Sequence, residues 1–218
     1  MRALGQPEVL RSAAIAAFVS SAMSCPRLLT APGLKYPVWY LEAVLFLGGI
    51  FLWGFVFAWH TKYTHRPVIT FKVDPMALGT ATVAGAVGAV ALYLLVDPAV
   101  RAATPQDYPA TVWQWLATAL FSLGFTQLFL VFAPFAWCVR LFRSTETAAV
   151  LTVLFGVFVL VVKHYHSPTP APAMLFAELL LVRAIAGALS VYFFLRGGLF
   201  LALWCDLLVQ SRYLLDLV

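Results

Sequence analysis

The stretch that most constrains this chain is residues 171–217. APAMLFAELLLVRAIAGALSVYFFL runs into a tight RGG turn and returns as LFLALWCDLLVQSRYLLDL. Each arm approaches the roughly 20 apolar residues that carry a helix across a bilayer. The pair reads as a membrane helical hairpin. Yet it holds Glu178, Arg183, Asp206 and Gln210 at membrane depth. Ionisable groups there are costly, so they face the bundle interior, pair, and mark function.

The remaining sequence has the same character. Of 218 residues, 63% are hydrophobic and 11% charged, against roughly 25% charged in soluble domains. This composition predicts an all-α, polytopic membrane bundle. The net charge of +5 is then a topology signal and not a nucleic-acid footprint. Cys25, Cys138 and Cys205 share no CxxC spacing, which gives neither a disulfide framework nor a thiolate metal site. No metal, cofactor or nucleic-acid partner is expected; the bilayer is.

About six spanning helices are expected, plus a short N-terminal one. Residues 1–37 hold the apolar run SAAIAAFVSSAMSC, broken by Pro26, Pro32, Gly33 and Pro37. They read as a retained short or interfacial helix and linker, with a cleaved signal as the alternative. Residues 38–110 read as two accessory spans, 38–59 and 76–96, with their loops. Glu42 reads as a snorkelling carboxylate one turn inside the first. In the second, Ala77, Ala81, Gly85 and Ala89 recur every four residues, so another helix can approach closely. Residues 111–218 supply spans at 111–137, kinked at Pro134, and 146–162, then the hairpin. Lys62, Arg66, Lys72, Arg140, Arg143 and Arg196 fall at one set of helix ends, which the positive-inside rule places in the cytoplasm.

The polar residues carry what chemistry there is. His60, His65, His164 and His166 fall at opposite membrane faces, which disfavours a joint metal site and favours solvated side chains at headgroup level. Glu178 and Arg183 are five apart and diverge by about 140° on an α-helix, so Arg183 looks to Asp206 on the returning arm for an ion pair. Asp206 and Gln210 are four apart and share a face. No Ser-His-Asp set, phosphate loop, HExxH or GxSxG is present.

Three segments are similar to a known pattern: LGFTQLFLVFAPFAWCVRLF, VLFGVFVLVVKHYHS and AIAGALSVYFFLRGGLFLALWCDLLVQ. In spacing and small-residue placement, residues 118–217 resemble the CPBP family of helical intramembrane endopeptidases (CAAX proteases and bacteriocin-processing enzymes, also called Abi proteins). The resemblance implies a four-helix core over residues 111–218. Thr126 and Gln127 stand where the family has paired glutamates, Val131 where it has arginine and Val159 where it has histidine. Asp206 and Gln210 stand in for the closing His and Asn. An amide is no general base, and valine neither activates water nor stabilises an oxyanion. The resemblance thus implies a catalytically degenerate, pseudoprotease-like scaffold. Its groove would be lined by Gln127, Glu178, Arg183, Asp206 and Gln210. It would receive a client transmembrane or lipid-anchored segment, or serve an active CPBP-type protease, in a bacterial inner membrane. An active endopeptidase with altered residues, and a small transporter or lipid-handling protein, are the alternatives.

Overall fold

The computed structural model describes residues 4–31, 34–70, 72–103, 105, 108–167 and 170–217. These form α1 (Pro7–Thr30), α2 (Val38–Thr64), α3 (Pro75–Leu95), a short α4 (Asp97–Ala103), α5 (Val112–Phe142), α6 (Thr145–Tyr165) and α7 (Ala173–Gln210), closed by a 3₁₀ turn at Ser211–Asp216. Six helices are long and apolar enough to cross a membrane. The protein is an all-α integral membrane bundle.

Helix ends follow local chemistry. Asp74, Thr111 and Ser144 each accept a backbone N–H at a helix start, satisfying donors that have no intrahelical partner. Gly197 and Gly198 break α7 into two arms. Gly198 has φ +66°, and a Cβ there would lie 2.7 Å from Val68 O. Leu199 N donates to that same carbonyl at 2.8 Å, and Arg66 donates to Leu195 O. The loop after α2 thus pins the turn from outside. Residues 182–190 of the first arm share a cavity with residues 205–212 of the second, so the arms fold back on each other as the RGG turn predicts.

The small-residue periodicity of α3 places it. Ala77, Ala81, Gly85 and Ala89 are its buried positions. A Cβ on Gly85 would sit 2.7 Å from Leu208 Cβ, so α3 lies flush against the second arm of α7. The aromatic core forms at the other side of the turn, where Phe132, Phe135, Phe193 and Phe194 are fully buried.

Four expectations change. The N-terminal helix is not short: α1 has 24 residues and packs along α2, with Ala13 and Ala17 fully buried. Pro26 lies one turn from its end, where little helix remains to disrupt; Pro32 and Gly33 fall outside the described residues. Glu42 turns toward α1, where Ser21 Oγ donates to it, and does not snorkel. His60 is not a solvated side chain. A π-helical turn at Val56–His60 swings it inward, where it is 0% exposed with Phe194 at 4.3 Å. The loop after α3 carries α4, tied to the C-terminus as described below.

Candidate functional site

The polar groups inside the bundle meet where α5 passes the second arm of α7. In α5, Ser122–Thr126 forms a π-helical turn in which the Gln127 backbone N–H bonds to Ser122 O. Such i→i+5 bonding stacks residues five apart over one another. On a regular α-helix they would diverge by about 140°. A second π turn, Leu128–Phe132, follows directly and leads to Pro134. Proline lacks an N–H and its ring crowds the carbonyl four residues back, and a widened ladder relieves that conflict. On α7, Asp206 and Gln210 share a face.

Ser122 is the hub. Its Oγ donates to Asp206 Oδ2 at 2.9 Å and accepts from Gln210 Nε2 at 3.2 Å. The Gln127 amide is turned toward the same carboxylate. Trp115 Nε1 donates to the Gln210 backbone oxygen at 2.9 Å and fixes the second arm against α5. These groups line a cavity of about 300 Å³ that also takes in Thr126, Arg183, Ser190 and Arg212.

Arg183 enters from the first arm. Its guanidinium lies across Gly156 on α6, where a Cβ would sit 2.8 Å from Nε and 3.0 Å from Nη2. The expected ion pair with Asp206 does not form. Among the described residues the ion pairs are Arg212–Asp97 and Arg101–Asp216. The Asp206 carboxylate is held by Ser122 and the amides, while Gly156 accommodates the guanidinium on the α6 side.

The end of the cavity is closed by a clamp. Arg212 Nε bonds to Asp97 Oδ2 at 3.0 Å with both side chains largely buried, and Arg212 Nη1 donates to Val209 O at 2.9 Å. Arg101 pairs with Asp216, to which Tyr93 OH also donates, at 3.1 Å. Burial raises the Tyr108 phenol well above its ordinary range, and neighbouring Asp97 adds to the effect.

Of the residues singled out by sequence, Thr126, Gln127, Arg183, Asp206 and Gln210 all line this cavity. Glu178 does not; it lines an adjoining apolar cleft. Val131 is packed in the core at 1% exposure, and Val159 lines neither cavity. Ser122, Ser190 and Arg212 are contributed by the structure. Two buried atoms on cavity-lining residues have no hydrogen-bond partner, Gln127 Oε1 and, packed against Gly156, Arg183 Nε. One is an acceptor and the other a donor.

Comparison with family models, curated proteins and solved structures gives no match.

Proposed function

We propose that this protein is a binding, non-cleaving intramembrane subunit of CPBP-like design, which holds the membrane-embedded or lipid-modified tail of a client protein in the Ser122–Asp206 cavity. The observation that carries the reading is the unpartnered pair, Gln127 Oε1 and Arg183 Nε, on two side chains that line this cavity. A buried polar atom without a partner costs about 1–3 kcal/mol. A peptide group offers an N–H to the first atom and a carbonyl to the second. Of the positions aligned with the family's motifs, Thr126, Gln127, Asp206 and Gln210 line the cavity and Val131 and Val159 do not, so the family design is part of this proposal. Binding is favoured over hydrolysis by the lining. Its amides donate and accept without abstracting a proton, and Asp206 is held by Ser122. The resemblance also supplies the setting of this proposal, a bacterial inner membrane in which an active CPBP-type protease acts on the same clients.

The test uses purified protein in lipid nanodiscs with two synthetic probes, a hydrophobic transmembrane peptide and a short peptide with a prenylated carboxy terminus. Energy transfer from a donor-labelled protein to an acceptor on each probe reports binding. At least one probe binds the native protein and is recovered intact by mass spectrometry. Gln127→Leu and Arg183→Met each weaken binding about tenfold, the value of one or two lost polar contacts. Cleavage of either probe, or equal binding by both variants, overturns the reading.

A further inference from the structure

Glu178 sits on the first arm of α7, about 8 Å below its start at 1.5 Å per residue. It is half-buried. It lines an apolar cleft of about 530 Å³ between α3 and that arm. It also borders a second cleft, of about 560 Å³, that continues past α4 to the end of the bundle. Ala84, Gly88, Ala91, Leu95 and Ile185 supply much of the first wall. Among the described residues the ion pairs engage Asp97 and Asp216, not Glu178. Arg183, five residues on, faces away toward Gly156. Carboxylates within a membrane are costly and are met by a cation. Here the chain's own intramembrane cation is turned to the other side of the helix.

We propose that this cleft docks a transmembrane helix of a partner protein, and that a lysine or arginine on that helix pairs with Glu178. Charge complementarity names the recognising group. The wall names the scaffold that carries it: Ala84, Gly88 and Ala91 run along α3 beside the positions it buries against α7, and small residues let a helix backbone approach closely. The simplest rival is an aminophospholipid, which the experiment below separates. The ammonium of an aminophospholipid is the outermost part of that molecule and stays at headgroup level, whereas a side chain on a helix reaches Glu178 from within the hydrocarbon. This surface is separate from the Ser122–Asp206 cavity, and the proposal does not rest on what that cavity holds.

The experiment reconstitutes the full chain in phosphatidylcholine vesicles with an acceptor-labelled leucine–alanine peptide of about 20 residues. The peptide carries one lysine about six residues from an end. Energy transfer from a donor-labelled protein reports association. The lysine peptide associates about tenfold more tightly than the same peptide with leucine at that position, as expected for one interhelical polar contact. Glu178→Gln removes the difference. Glu178→Lys restores it for a peptide carrying glutamate, which guards against a fold defect in the first variant. Equal affinity for the lysine and leucine peptides overturns the proposal. So does displacement of the lysine peptide by phosphatidylethanolamine, which would assign the cleft to a lipid. Donor–acceptor transfer between copies of the protein that Glu178→Gln abolishes overturns it as well, because the cleft would then be a self-association face.

Discussion

Residue pairs five apart occur twice in the polar interior, and they behave oppositely. Ser122 and Gln127 lie on a π turn and aim together at Asp206. Glu178 and Arg183 lie within α7 and open into different cavities. The difference is backbone pitch, not side-chain chemistry. Ser122 carries the larger burden of the first pair, since it donates to Asp206 and receives Gln210. Ser122→Ala leaves a buried carboxylate short of a donor. A loss of about 1–3 kcal/mol follows, read as a lower midpoint in denaturant titration of the reconstituted protein. Ser122→Thr keeps the hydroxyl and recovers most of the loss. Gly156 has the same kind of role for Arg183. A Cβ at that position meets Nε at 2.8 Å, so Gly156→Ala displaces the guanidinium from its seat. It should weaken binding of the peptide probes while Gly156→Ala/Arg183→Met double substitution adds nothing further.

At the scale of elements, the turn of α7 was legible because it rests on local rules. Two glycines between apolar arms specify a reversal, and Gly198 adopts the left-handed φ that other residues resist. Gly198→Ala both forces a side chain into that conformation and drives it against Val68 O. A destabilisation of at least about 1 kcal/mol is expected, and thermal unfolding measures it. The α3 stripe was legible for the same reason: Ala77, Ala81, Gly85 and Ala89 bury as a period of four requires. That Asp206 and Gln210 share a face followed from their spacing, whereas Gln127 was brought to them only by what the resemblance implies. What escaped the sequence depends on π turns, which leave no mark in composition. Regular α-helical counting separates Ser122 from Gln127, and it leaves His60 at a helix end when the turn at Val56–His60 carries it into the aromatic core. Pro134 was the available signal. It announced a disturbance in α5, but the disturbance appears upstream, as widened turns over 122–132. The Arg183–Asp206 pair failed for a different reason. Charge matching along a hairpin ignores the neutral donors that reach a carboxylate first.

The whole molecule is organised as two ends of different electrostatic character. At the turn end, Arg66 reaches Leu195 O and the α2–α3 loop lies on Gly198, which gathers the helix ends bearing Lys62, Arg66, Lys72, Arg140, Arg143 and Arg196. At the opposite end two arginines are matched by carboxylates: Arg212 with Asp97 and Arg101 with Asp216. The first of these pairs is buried, so removing one member strands a charge. Asp97→Ala should cost about 3–5 kcal/mol, while Asp97→Leu with Arg212→Leu costs far less. Both are readable by denaturant titration, and the contrast separates pairing from mere packing. The basic residues at the turn end also carry a prediction of orientation. Lysine and arginine in short loops tend to be retained on the cytoplasmic side, which predicts a cytoplasmic turn of α7 and an outward α4 clamp. In a background with Cys25, Cys138 and Cys205 replaced by alanine, a single cysteine at Lys163 reacts with a membrane-impermeant maleimide added to intact cells. A single cysteine at Lys72 reacts only after the membrane is opened. The reverse pattern would place the basic end outside, and the cavity and the Glu178 cleft would then have to receive their partners in the inverted sense.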